Sequence, residues 1–144
     1  MATLDGGRIG IAAQALGIAE GAIEETVKYV KERVQFGRPI AQFQNTQFEL
    51  AQMRASTEAA KLLVYQAACA KDDHERFTHL AAMAKLVASR NATDVTNRCL
   101  QLFGGYGYTS DYPIERMMRD AKITEIYEGT SEVQMMVISG WMFK

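Results

Sequence analysis

Cysteine, proline and any surplus of one charge are scarce in this sequence, and each scarcity removes a class of protein. The two cysteines among 144 residues, Cys69 and Cys99, lie in apolar periodic stretches with no second thiol nearby. They read as buried reduced thiols of a cytoplasmic protein rather than as a disulfide framework. The 16 basic and 17 acidic residues leave a net charge of -1 and are dispersed along the chain, so no electrostatic footprint for nucleic acid or a membrane surface is present. No run approaches the roughly 18 apolar residues of a membrane span. The start, Met1-Ala2-Thr3-Leu4-Asp5, lacks the basic region and apolar stretch of a secretory signal. Only two prolines, Pro39 and Pro113, and few β-branched alternations argue against a sheet. His74 and His79 have no carboxylate or thiol at ligand spacing, so no metal site is expected.

What is present is helical periodicity. Ile9, Ala12, Ala13, Leu16, Ala19, Ile23, Val27 and Val30 recur at spacings of three and four, which predicts a helix from about Arg8 to Arg33. Phe36-Gly37-Arg38-Pro39 breaks it. A second helix is predicted from about Gln44 to Ala70, with Phe48, Ala51, Ala55, Leu62, Tyr65 and Cys69 as its core stripe. The polar cluster Lys71 to Arg76 forms a surface turn. A third helix carries Ala81, Ala84, Leu86, Ala88, Ala92, Val95, Cys99 and Leu102 and stops at Gly104-Gly105. A short helix begins near Pro113 and a last one runs from about Glu132 to Met142, where Ser131 and Gln134 have the spacing of a capping box. The fold class is all-α, an antiparallel bundle of about four helices, and the methionines, including Met117-Met118 and Met135-Met136, read as core filler.

Taken one at a time, the candidate functional residues each have two readings. Gly104-Gly105-Tyr106-Gly107 invites comparison with a nucleotide loop, but a helix precedes it where a strand is required, and a glycine C-cap with a tight turn accounts for it as well. Arg33, at a helix C-terminus, either compensates the helix dipole or binds a phosphate. Glu128, between Tyr127 and Gly129 and just before a helix, is either a carboxylate held in a turn for chemistry or an acid placed for the dipole.

The combination is more specific than its parts. Leu4-Asp5-Gly6-Gly7-Arg8-Ile9-Gly10, Glu32-Arg33-Val34-Gln35-Phe36-Gly37-Arg38-Pro39, Gln101-Leu102-Phe103-Gly104-Gly105-Tyr106-Gly107 and Arg119 through Thr130, in this order and spacing, resemble the acyl-CoA dehydrogenases, most of all the short-chain, butyryl-CoA type. The resemblance covers essentially the whole chain and implies that residues 1–144 are that family's C-terminal helical domain, without its N-terminal helical and middle β-domains. It implies an FAD enzyme that oxidises short-chain acyl-CoA to trans-2-enoyl-CoA, works as a homotetramer built as a dimer of dimers, and passes electrons to electron-transfer flavoprotein.

Roles follow from the resemblance residue by residue. Arg33 is expected to contact the FAD pyrophosphate of a neighbouring subunit, with Gln35 and Phe36 beside it. Gln101, Leu102, Phe103, Gly104 and Gly105 are expected to approach the adenosine half, and Thr130, Ser131 and Glu132 the flavin. Asp5, Gly6, Gly7, Arg8 and Gly129 are expected to contact substrate, and Glu128 to be the catalytic base. Some members take their base from the residue before the arginine matching Arg8, and that residue here is Gly7, which has no side chain to serve. Met135 departs from the arginine common in relatives. The rival reading is a non-catalytic helical oligomerisation module.

Overall fold

Alanines set how closely the helices approach. A computed structural model describes the backbone of residues 2–144 and the side chains of residues 4–144; Met1, where the reading of the N-terminus began, lies outside the described residues. Helix α1 (Ala2–Glu32) places Ala12, Ala15, Ala19 and Ala22 on its fully buried face, and α3 (Thr78–Phe103) answers with Ala81, Ala84, Ala88 and Ala92. Short side chains on both faces let the two axes come close over their whole length. Helices α1 and α3 run parallel, each antiparallel to α2 (Gln44–Asp72) between them in sequence: Thr78 meets Asp5 at the N-terminal ends, and Phe103 stacks on Tyr29 at the C-terminal ends. Helix α3 is the hub, packing on α1, on α2, on α4 (Ile114–Ile123) and on α5 (Ser131–Met142). Ile23, Met53, Val64, Val95, Phe103 and Ile114 fill the spaces between, each buried aliphatic side chain contributing about 1.5–3 kcal/mol. Three buried hydroxyls of α1 and α3 are satisfied locally, Thr26, Ser89 and Thr96 donating to carbonyls one turn back.

The all-α class holds, with five helices among the described residues rather than about four, and two 3-10 turns, Ile40–Gln42 and Gly104–Tyr108. The first helix begins at Ala2 rather than near Arg8, because Gly6 and Gly7 continue it, tied by the i,i+3 pair of Asp5 and Arg8. The break at Phe36-Gly37 is a small hairpin, β1 (Val34–Gln35) pairing antiparallel with β2 (Arg38–Pro39). Its two central residues have φ of 54° and 77°, the signature of a type I′ turn.

The core stripe expected on α2 was on the wrong face. Phe48, Leu62 and Tyr65 are 56%, 71% and 58% exposed, Ala51, Ala55 and Cys69 are also exposed, and the buried stripe is Thr46, Met53, Thr57, Ala60, Val64, Ala67 and Ala70. Both faces of α2 are apolar enough to pass for a core, and the smaller residues won the place against α1 and α3. Of the two thiols only Cys99 is buried. Met135 and Met136 are likewise surface residues, while Met53 is core. No described helix is long and apolar enough to cross a membrane.

Candidate functional site

The functional candidates separate to opposite ends of α1. At its start, Asp5 and Arg8 are buried and paired at 2.5 Å, and Asp5 also accepts from the Thr78 hydroxyl at 2.8 Å. Between them lies Gly7, and the Glu128 carboxylate rests directly on it. A Cβ built at position 7 would sit 2.8 Å from Glu128 Oε2 and 2.9 Å from its Cδ, closer than any ordinary carbon contact. The missing side chain of Gly7 is therefore the space that Glu128 occupies.

Glu128 reaches this place through an unusual backbone. Its φ is +56° and that of Gly129 is +91°, so two successive left-handed residues turn the chain into α5. The first of them costs about 1–2 kcal/mol for a residue with a Cβ. Four hydrogen bonds hold the turn. Tyr127 donates to Gln14 Oε1 at 2.5 Å; the Gln134 amide donates to the carbonyls of Glu128 and Gly129 at 3.3 and 2.8 Å; and Lys85 Nζ donates to the Gly129 carbonyl at 2.7 Å. Gln134 and Lys85 are fully buried. The capping box expected from Ser131 and Gln134 does not form: the N-cap of α5 is Thr130, and Gln134 turns back onto the preceding loop.

Burial pushes the Lys85 amine below its ordinary 10.5, as does the Arg8 guanidinium, against the upward pull of Glu125, Glu128 and Glu132. Glu132 is held below the usual carboxylate range by its own backbone amide and the Thr130 hydroxyl. Three buried polar atoms have no partner among the described residues, and all lie at this end: Arg8 Nε, Ser131 Oγ and Gln134 Oε1.

At the other end of α1 an open groove of about 660 Å³ is lined by Arg33, Gln35, Phe36, Gln101, Leu102, Phe103, Gly104 and Gly105, together with Tyr29, Phe43, Thr46 and Tyr106. Arg33 lies 4.8 Å from the Tyr106 ring centre and pairs with no carboxylate among the described residues. The structure thus gathers all eight residues expected near the pyrophosphate and adenosine into one groove. Thr130, Ser131 and Glu132 stand apart from them, beside Glu128.

A family model described as "Acyl-CoA dehydrogenase, C-terminal domain" matches residues 1–143. The chain belongs to that family. It is 58% identical to butyryl-CoA dehydrogenase from Megasphaera elsdenii, whose structure it matches at a TM-score of 0.99 over 100% of this chain and 38% of that one. A chain in the structure described as the electron transferring flavoprotein of Acidaminococcus fermentans matches at 58% identity and a TM-score of 0.97, covering 99% of this chain and 37% of that one. The acryloyl-CoA reductase (NADH) of Anaerotignum propionicum is also 58% identical, over 100% of this chain and 36% of its own length. This acyl-CoA dehydrogenase domain therefore spans little more than a third of the relatives it matches.

Several residues of the two ends have roles that the sequence did not reveal, Gln134 and Tyr106 among them although both lie in motifs it offered. Lys85 and Gln134 brace the Glu128 turn, and Tyr29, Phe43 and Tyr106 wall the groove. A signal for Lys85 existed, since it falls at the phase of Ala81, Ala88 and Ala92 on the apolar stripe of α3, where a cation is out of place.

Proposed function

We propose that this domain is the C-terminal part of an FAD-dependent enzyme that interconverts short-chain acyl-CoA and trans-2-enoyl-CoA, with Glu128 as the base at the α-carbon. The observation that carries this reading is the seat of the Glu128 carboxylate on Gly7. Position 7 is the other place from which members of this family present a base, and here its space is taken by Glu128.

The geometry suits the chemistry. Glu128 is an exposed residue whose backbone is braced, which holds a proton acceptor ready without burying it. Its backbone N–H has no partner among the described residues and is free to hydrogen-bond a thioester carbonyl, stabilising the charge that develops as the α-proton leaves. Bound FAD supplies the acceptor for the hydride that departs from the β-carbon. Asp5 and Arg8, paired with each other, flank Gly7 in the first turns of α1, and with Gly6 and Gly129 they are the residues this reading places against substrate.

The donor set of the distal groove fits a dinucleotide. Arg33 offers a fork of N–H groups to phosphate oxygens, Gln35 and Gln101 offer amides, and Gly104-Gly105 lets backbone come close. At the near end the first turn of α5, with the free Ser131 hydroxyl, offers donors to a flavin. The 26 residues from Gly7 to Arg33 put about 40 Å between the two ends at 1.5 Å per residue, more than one FAD spans. Each subunit then supplies the flavin end of one cofactor and the adenosine end of another, so the site is shared within a homo-oligomer. Phe36, 92% exposed, and the apolar stripe of Phe48, Leu62 and Tyr65 offer surface for such neighbours and for the two remaining domains. Electron-transfer flavoprotein is the partner that this reading and the Acidaminococcus fermentans match support.

The Anaerotignum propionicum relative favours a second reading in which the physiological direction is reduction. The same groups serve it, protonated Glu128 returning the proton to the α-carbon. Holoenzyme, meaning this domain with its N-terminal and middle domains, should be yellow and should bleach anaerobically on mixing with butyryl-CoA. A colourless tetramer would instead favour the oligomerisation module.

A further inference from the structure

We infer that Lys85 is a positioning residue for Glu128: together with the Gln134 amide it grips the Gly129 carbonyl and so fixes the left-handed turn that seats the Glu128 carboxylate on Gly7. The inference rests on the base assignment above and adds to it a residue that never meets substrate.

Lysine is a costly choice for its position. Lys85 is fully buried on the alanine face of α3, makes one hydrogen bond among the described residues, to Gly129, and has no carboxylate within ion-pair distance there. An amine so placed loses its hydration for a single neutral acceptor, and an apolar side chain of similar length would pack there at no such cost. The fold itself does not require the amine. The turn does: Gly129 takes two buried donors on one carbonyl, at 2.7 and 2.8 Å, immediately after a residue held at φ +56°. With the Gly129 carbonyl gripped by both donors and the Glu128 carbonyl held by Gln134 at 3.3 Å, the two peptides that follow Glu128 are fixed, and the turn cannot relax toward the commoner right-handed conformation, which would swing the carboxylate off Gly7. The charged groups around the amine come from every neighbouring element: Arg8 of α1, Glu125 and Glu128 of the α4–α5 connection, and Glu132 of α5.

The test is Lys85→Met in holoenzyme, read in three ways: the rate of anaerobic flavin bleaching by butyryl-CoA, the Kd of a non-oxidisable acyl-CoA analogue, and Tm. The expected result is a 10- to 100-fold loss of bleaching rate, the scale of a displacement of up to about 1 Å, with Kd within threefold and Tm unchanged or raised. Bleaching within threefold of the parent overturns the inference, as does a rate loss matched by equal losses in Kd and Tm, which marks a merely structural lysine. Should Lys85→Met fail to fold, Gln134→Leu removes the other donor from the same carbonyl: a comparable rate loss at unchanged Kd sustains the inference, and a retained rate overturns it. A parent that does not bleach at all overturns the dehydrogenase reading first and this inference with it.

Discussion

Gly7→Ala should stabilise this domain and cripple its chemistry, two effects of opposite sign from one methyl group. Gly7 lies within α1, where alanine is favoured over glycine by about 0.5–1 kcal/mol. Its new Cβ would stand 2.8 Å from Glu128 Oε2 and 2.9 Å from Cδ, against a normal carbon contact of about 3.5–4.0 Å, so the carboxylate must retreat by about 1 Å. That retreat is cheap for folding, because the displaced atoms are the exposed end of a flexible side chain. It is expensive for proton transfer, since about 1 Å at the reacting atoms costs on the order of a hundredfold. Thermal melts followed by circular dichroism should show Tm unchanged or up by a few degrees, on the scale of about 2–8 °C per kcal/mol. Anaerobic bleaching of the holoenzyme variant should slow about a hundredfold. Bleaching within threefold of the parent, or a Tm lowered by more than about 5 °C, would refute the reasoning.

Arg33→Ala in holoenzyme should weaken FAD retention by about 1.5–3 kcal/mol, the scale of a charge-assisted hydrogen bond, measured by flavin release during dialysis; unchanged retention returns Arg33 to dipole compensation. Burial pushes the Cys99 thiol up from 9.0 to about 11, so the fold favours the neutral thiol, and the stability this contributes is full below pH 9 and lost as pH rises toward 11. Urea midpoints between pH 8 and 11 should therefore fall less in Cys99→Ala than in the parent, and equal falls would contradict the assignment. Leu62→Lys, on the exposed stripe of α2, should leave the helical spectrum intact and lower the assembled mass seen by sedimentation; an unchanged mass would exclude that stripe from the interface.

Much of the helical frame was legible because periodicity reports burial. The face of α1 was read from Ala12, Leu16, Ala19 and Ile23, and the stop of α3 from Gly104, the C-cap at φ +62°. The same logic failed on α2, where two apolar stripes compete and periodicity cannot say which one meets α3. The local dihedrals at Glu128 were also illegible, since a glutamate at φ +56° is chosen by Lys85 and Gln134, residues 43 and 6 positions away. The groove was easier. Its residues come from two short motifs, and parallel packing of α1 on α3 brings the end of one beside the end of the other. Opposition of Gly7 and Glu128 is a long-range fact of the same packing, anticipated from the family pattern but given distances only by the fold.

The central claim is that Glu128 takes the α-proton, and Glu128→Gln in holoenzyme tests it most directly. Glutamine preserves the size and backbone of the turn but does not accept the proton at neutral pH. Stopped-flow flavin bleaching with butyryl-CoA should fall by at least the hundredfold to ten-thousandfold typical of general-base removal, with FAD content and the Kd of a non-oxidisable acyl-CoA analogue nearly unchanged. Bleaching within about tenfold of the parent's rate would show that Glu128 is not the base.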